Sequence, residues 1–118
     1  MDEIDLAGSR RRYRELLAQS LSVLVEKLKK QSGVIRVSAF GSYARGRADL
    51  FTDLDVLVIM DTALPFVERQ QMLYRLLASP VDLDILCYTP QEFDSMKDSP
   101  FLRHALRDEQ ILYEKKPA

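Results

Sequence analysis

The sequence predicts an α/β (α+β) fold in which helices flank one small β-sheet. Helical and strand-like segments alternate along the chain, which is typical of this class. The 118 residues provide for one core, and 47% hydrophobic against 30% charged residues is the balance of an ordinary globular protein. No internal repeat or linker divides the chain. We therefore expect a single domain over residues 1–118, with its core at about residues 10–114.

The order of elements follows from the spacing of apolar residues and from the Gly, Pro and Ser-Pro positions at which elements begin or end. In chain order, these signals predict a helix over 10–31, a strand over 34–40, a helical turn over 42–45, a strand over 54–60, a helix from 65 that Ser79-Pro80 closes, a strand over 81–88, a helical turn over 91–97, a helix over 99–107 and an extended piece over 111–113. The run at 54–60 is almost wholly apolar, which predicts a central strand covered on both faces. Residues 114–118 are expected to fray.

Charge and cysteine content exclude several classes of protein. The net charge of −1 gives no global positive field of the kind that a general nucleic-acid coat protein uses. Cys87 is the single cysteine, which excludes an internal disulfide and fits a reducing compartment. The amino terminus is acidic, and no apolar run approaches the ~18–20 residues that cross a bilayer. We therefore expect a cytoplasmic protein with no membrane partner.

The most informative stretch joins the first two predicted strands. Gly41-Ser42 lies where a strand stops and a helical turn begins, so free backbone N–H groups point outward. Glycine also lets an anion approach the main chain. The pair therefore predicts a phosphate cradle, although an isolated Gly-Ser also serves as an ordinary turn. Arg45 and Arg47 can reach nucleotide phosphates as bidentate donors, or they lie solvated on an exposed turn.

Carboxylates stand at the starts of two strands. The two-residue period of a strand places Asp53 and Asp55 on one face, and Asp82 and Asp84 repeat the pattern. If the two strands pair, three or four carboxylates meet at one edge of the sheet. Two Mg²⁺ ions about 3.5–4 Å apart can bind nucleotide phosphates in such a site. Taken alone, Asp-x-Asp at a strand start is more often a solvated turn than a metal site.

Together these features resemble the signature of the polymerase-β-like nucleotidyltransferases: Gly41-Ser42, ten intervening residues, then Asp53-Leu54-Asp55. The segment Phe40-Gly-Ser-Tyr-Ala-Arg-Gly resembles the corresponding segment of the minimal nucleotidyltransferases of prokaryotes. The resemblance covers about residues 13–114. Thr52 stands where that family usually has Ser, which keeps the hydroxyl. The resemblance implies a polymerase-β-like fold with a small mixed sheet, and Mg²⁺-dependent transfer of AMP from ATP to an acceptor hydroxyl at a two-metal site.

The resemblance also implies which residues form the site. Its third carboxylate lies six residues before the proline of Tyr88-Thr-Pro-Gln-Glu-Phe93, which selects Asp84 and leaves Asp82 as an outer ligand or a solvated strand end. The implied site residues are, for metal binding and catalysis, Asp53, Asp55 and Asp84, and for nucleotide binding, Gly41, Ser42 and Arg45.

The partner is implied by the resemblance as well. Minimal nucleotidyltransferases frequently act as antitoxins that modify a tyrosine of a HEPN-type ribonuclease toxin with AMP. Ser99 stands five residues before His104, so the toxin motif Arg-x4-His-x-Tyr is absent and this chain is expected to be the antitoxin half, able to assemble with its partner. His104 is expected to be structural. The run Arg10–Arg14 is interpreted as an exposed helical turn or a partner contact, with nucleic-acid binding a lesser alternative.

Two other functions stay open at this point. The domain can neutralise a partner by occlusion while binding nucleotide with little turnover, although three convergent carboxylates are more than a pure binder needs. It can also modify a small molecule, as aminoglycoside nucleotidyltransferases do. Those enzymes are usually longer and carry an added helical domain that 118 residues do not provide.

Overall fold

The computed structural model describes residues 6–49 and 52–116. Its elements are, in chain order, α1 (Leu6–Lys29), β1 (Val34–Phe40), α2 (Gly41–Ala44), β2 (Leu54–Met60), α3 (Phe66–Leu77), β3 (Leu83–Tyr88), α4 (Pro90–Met96), α5 (Pro100–Ala105) and β4 (Gln110–Glu114). The four strands form one sheet in the order β3-β2-β1-β4. The sheet is mixed, because β2 and β3 are parallel while β1 is antiparallel to both β2 and β4. The expected fold class is therefore confirmed.

The core lies on both faces of this sheet, because side chains of a strand alternate between them. One face packs against α1 and α3 and includes Leu17, Leu28, Val37, Val56, Val58, Leu73 and Cys87. The other face packs against α4 and α5 and includes Phe40, Leu57, Ile59, Tyr88 and Leu102. Strand β2 is buried at six of its seven positions, as expected for the central strand.

The ends of several elements differ from the expected ones. Helix α1 begins four residues earlier than expected and includes the buried Gly8, and it ends two residues earlier. Strand β3 begins at Leu83 rather than at Val81, because the Ser79 hydroxyl accepts a hydrogen bond from Val81 N at 3.1 Å and donates one to Val81 O at 2.8 Å. This local turn keeps Val81 out of the strand ladder.

Two further expectations are wrong. Glu114 pairs with Arg36 in the sheet, and the Lys115 N–H donates to the Ile35 carbonyl at 2.7 Å, so the chain is held at these residues and does not fray there. Residues 117–118 lie outside the described part of the chain. The apolar spacing that predicts the helix from residue 65 also assigns Val67 to its buried side, but Val67 is 61% exposed. Within residues 6–49 and 52–116, no helix has the combined length and apolar character that crossing a membrane requires.

Two ion pairs hold the later elements against the sheet. Arg36 of β1 binds Glu109, which precedes β4, and its guanidinium lies 5.4 Å from the ring centre of Phe93. Arg69 of α3 is 4% exposed and binds Glu92 of α4 as well as the carbonyl of Leu64. Because Glu92 also closes the capping box of α4 with Thr89, this ion pair fixes the orientation of that helix.

Candidate active site

The sheet topology brings the predicted site residues to one end of the sheet. Strands β2 and β3 are parallel, so both begin there, and the antiparallel β1 ends there. Asp55 is the register partner of Phe40 on one side and of Asp84 on the other. Asp53 and Asp82 each precede their strand by one residue. The carboxyl groups of the two strands therefore lie beside the turn that follows β1.

The carboxyl group of Asp55 is the electrostatic centre of this cluster. Burial and the neighbouring carboxylates of Asp84 and Asp53 together raise its pKa from 3.8 to about 6, while Arg45 acts in the opposite direction. When protonated, Asp55 donates a hydrogen bond to Asp84. Like charges this close are unfavourable unless a proton or a cation lies between them.

Gly41 is required at the turn because of Asp55. Its φ is +74°, and a Cβ atom built on it would lie 2.2 Å from Asp55 Oδ2, far inside contact distance. The Asp55 carboxyl therefore packs directly against the main chain of the predicted phosphate cradle. Ser42 follows as the second residue of α2, and no side chain caps the N-terminus of that short helix. At its other end, Gln110 Nε2 donates to the Ala44 carbonyl at 2.9 Å.

A hydrogen-bond network fixes the chain just before Asp53. The buried Thr52 hydroxyl accepts from Asp49 N at 3.0 Å and donates to Asp49 Oδ1 at 3.1 Å. Arg47 Nε donates to Asp49 Oδ2 at 2.7 Å, so the Arg47 guanidinium is bound within its own loop. Arg45 is exposed, and its charge acts on Asp55. The Tyr13 hydroxyl of α1 donates to the Thr52 carbonyl at 3.0 Å.

Tyr13 also belongs to this site, whereas the apolar spacing that predicts the first helix assigns it only to the buried face of that helix. Burial raises its pKa, and the carboxylates of Asp82 and Asp53 raise it further. The N-terminal turns of α1 therefore flank the carboxylate cluster. The sequence offered a weak signal, since Tyr13 stands between Arg12 and Arg14 in an apolar stripe that is otherwise made of leucine and one valine.

The carboxylate oxygens of this cluster are chemically suited to bind a divalent cation. Carboxylate oxygens are the hard ligands that Mg²⁺ prefers, and the contact of Asp55 with Asp84 is one that a cation relieves. In the part of the chain that the structure describes, no group of three or more His, Cys, Asp or Glu side chains is already arranged to hold a metal ion. Asp53 is close enough to act on Asp55 through its charge, and its metal-binding role stays a prediction.

The remaining candidates lie away from the cluster. His104 is exposed on α5, with its Nδ1 3.2 Å from Arg107 Nη2. Cys87 is fully buried, and burial raises its pKa to about 11, so it is packed as a small apolar side chain.

Comparisons with known proteins identify the family of this chain. The model of the nucleotidyltransferase domain family matches residues 21–80. The chain is 35% identical over 72 residues to the protein adenylyltransferase MntA of Thermococcus cleftensis, which covers 58% of this chain and 73% of that protein. The matched segment of the family model contains the Gly-Ser turn and the first two carboxylates.

Two solved structures share the fold. A Sulfolobus solfataricus protein assigned as a nucleotidyltransferase gives a TM-score of 0.55 at 18% identity, covering 97% of this chain and 91% of that one. A mutant of the toxin–antitoxin complex MntA-HpeT gives a TM-score of 0.55 at 20% identity, covering 81% of this chain and 73% of that one. With the family model matching half of the sequence and the fold matching as well, this chain belongs to the nucleotidyltransferase domain family.

Proposed function

We propose that this protein uses Mg²⁺ to transfer AMP from ATP to a hydroxyl of a macromolecular acceptor, a tyrosine of a partner HEPN-type toxin. The observation that carries the proposal is the register pairing of Asp55 with Asp84 on neighbouring strands, with the Asp55 carboxyl packed against the main chain of Gly41. The identity with a protein adenylyltransferase and the fold shared with the MntA-HpeT complex support the acceptor class.

The nucleotide is bound at the turn after β1. The uncapped N–H groups at the start of α2, at Gly41 and Ser42, receive the phosphate oxygens. Arg45 lies exposed on the same side and pairs with the remaining phosphate charge. Gln110 and the chain of β4 hold the opposite end of α2, so the cradle is fixed before nucleotide arrives.

The carboxylates carry the transfer. Asp53, Asp55 and Asp84 would hold Mg²⁺, which when bound neutralises phosphate charge and polarises the reacting oxygens. The acceptor oxygen forms a bond to the α-phosphorus, the bond from that phosphorus to the pyrophosphate oxygen breaks, and pyrophosphate leaves. Asp84 is exposed at the start of β3 and accepts the hydroxyl proton of the acceptor.

A comparison of Asp84 with Asp82 tests this assignment. Both residues are exposed and stand two positions apart, but Asp84 is the register partner of Asp55, whereas Asp82 lies before β3. With ATP labelled at the α-phosphate, Asp84→Ala should lower kcat by about 100-fold or more with little change in the KM for ATP. Asp82→Ala should stay within about threefold of the wild type. Reversed effects would move the catalytic position to Asp82, and no labelled acceptor with the wild type would refute the transferase.

A further inference from the structure

The N-terminal turns of α1 carry an unassigned positive surface beside the carboxylate cluster. Arg10, Arg11, Arg12 and Arg14 are all exposed, and we call these four residues the arginine rim. Tyr13, in the middle of the run, donates to the Thr52 carbonyl at 3.0 Å. Since Thr52 directly precedes Asp53, this hydrogen bond places the rim at the edge of the site.

Helical geometry directs part of the rim toward the opening of the site. Arg10 lies three residues before Tyr13 and therefore projects from the same face of α1, one turn farther out. Arg14 lies four residues after Arg10 and adjoins it on the helix surface. Within residues 6–49 and 52–116, none of the four guanidinium groups forms an ion pair, and Arg12 donates to the Ser9 hydroxyl at 3.2 Å.

We propose that the arginine rim binds acidic side chains that flank the acceptor tyrosine of the partner protein. This inference rests on the proposed function, because it identifies the chemistry of the segment that enters the same site. Guanidinium groups bind carboxylates through two parallel hydrogen bonds, which selects position as well as charge. The phosphates of ATP have their own proposed donors at Gly41, Ser42 and Arg45, which lie in α2 and directly after it.

The size of the rim favours a peptide over a nucleic acid. Arg10 to Arg14 spans only about 6 Å of helix axis, which two or three carboxylates of a peptide can match. Nucleic-acid binding commonly relies on about 6–10 phosphate contacts along a basic surface. The net charge of −1 supplies no such surface. The rim should therefore govern the binding of the acceptor and leave the chemical step unchanged.

Two peptides with the same tyrosine test the inference, one flanked by glutamates and the other by glutamines. Their binding is measured by fluorescence anisotropy without ATP at low salt, and AMP transfer is measured separately with labelled ATP. The test variant is Arg10→Ala/Arg14→Ala. The control is Lys29→Ala/Lys30→Ala. It removes two positive charges from exposed residues at the C-terminal end of α1 and directly after it. Circular dichroism checks that both variants fold.

The wild type and the control should bind the acidic peptide about tenfold more tightly than the neutral one, and Arg10→Ala/Arg14→Ala should lose that preference. The acceptor KM should rise by a similar factor with kcat unchanged. Equal affinity of the wild type for both peptides, or a preference that survives in the variant, overturns the inference. An oligoadenylate that binds more tightly than the acidic peptide and is lost in the same variant overturns it in favour of nucleic acid.

The two readouts keep the inference separate from the proposed function. Anisotropy reports the acidic preference of the rim without any transfer. Labelled ATP reports transfer by the wild type to either peptide. Intact transfer by a wild type that shows no preference for the acidic peptide therefore contradicts the inference alone, whereas an absence of transfer to protein acceptors contradicts the proposed function.

Discussion

The carboxyl group of Asp55 lowers the stability of the folded protein when it is ionised. Burial, Asp84 and Asp53 raise its pKa to about 6. Its folded-state pKa thus exceeds the unfolded value of 3.8, so the folded protein binds the proton more tightly. Stability from this group is present below pH about 4 and is lost as the pH rises through about 6, where the carboxylate ionises in an unfavourable environment.

Asp55→Asn should therefore abolish AMP transfer while raising the melting temperature above that of the wild type at neutral pH. The gain should shrink as the pH falls from about 6 and disappear near pH 4, because the wild-type side chain is then neutral as well. Thermal melts across this range measure the effect, with the exposed Asp108→Asn as control. A gain that does not change with pH would contradict the electrostatic explanation.

Mg²⁺ tests the same carboxylates through binding. Millimolar Mg²⁺ should raise the melting temperature of the wild type, since a ligand that binds only the folded state stabilises it. It should have little effect on Asp55→Asn, which has lost one of the proposed ligands. Equal stabilisation of both proteins would place the ion elsewhere.

At this scale the sequence predicted some contacts and could not predict others. The strand period and the pairing of two apolar strands were enough to bring Asp55 and Asp84 together. The contact between Gly41 and Asp55 was not predictable, because it depends on the exact register of β1 on β2. The place of Tyr13 in the site was equally unpredictable from the sequence, because its hydrogen bond joins residues 39 positions apart.

At the scale of elements, α3 completes the edge of β3 with side chains. Gln70 Nε2 donates to the Ile85 carbonyl at 2.7 Å, and Gln70 Oε1 accepts from Cys87 N at 3.0 Å. The Tyr74 hydroxyl accepts from Ile85 N at 3.0 Å, and Arg69 Nη1 donates to the Cys87 carbonyl at 3.3 Å. The outward backbone groups of Ile85 and Cys87 are therefore satisfied without a neighbouring strand.

Gln70→Ala should destabilise the protein by about 1–3 kcal/mol, because it leaves a buried edge donor and acceptor without partners. Gln71→Ala is the matched control: the side chain is the same, adjacent and exposed, and the change should stay within about 0.5 kcal/mol. Urea unfolding of the two variants measures the difference. Similar losses in both would show that the effect comes from the helix and not from the edge of β3.

The sequence carried a signal for part of this arrangement. Arg69 follows Phe66 and precedes Leu73 and Leu77 at helical spacing, so a charge stands within the apolar stripe of α3. Such a position requires a buried partner, which Glu92 and the Leu64 carbonyl supply. The edge contacts of Gln70 and Tyr74 were not predictable, because they require knowing that β3 is an outer strand.

At the scale of the whole molecule, Gly41 distinguishes an enzyme from an occluding binder. Gly41→Ala would force its Cβ onto Asp55 Oδ2, whereas Gly46, with a similar φ of +92°, has nothing within 4 Å of a Cβ. Both changes should cost about 1–2 kcal/mol for the left-handed backbone, but only Gly41→Ala should abolish ATP binding and AMP transfer. Calorimetry with ATP and the ribonuclease activity of the proposed partner toxin measure the outcome. Silencing of the toxin by Gly41→Ala without ATP would favour occlusion.

The long-range connections of β4 were the least predictable feature of the fold. The apolar run at 111–113 indicated an extended segment, but not its place beside β1. That place is held by the ion pair of Arg36 with Glu109, 73 residues apart, and by the hydrogen bond from Lys115 to Ile35. Local sequence patterns do not encode such partners.

The side chains of α3 along β3 also limit how copies of this protein can join. A sheet with two open edges can add a neighbour on each side, and repeated addition yields a filament. In the described sheet the β3 edge is occupied by hydrogen bonds from Arg69, Gln70 and Tyr74, which leaves strand addition to the β4 edge. A molecule that can add a neighbour at one edge forms closed pairs and no longer polymers. Helix α3 therefore protects the β3 edge against the repeated strand addition that fibril growth requires.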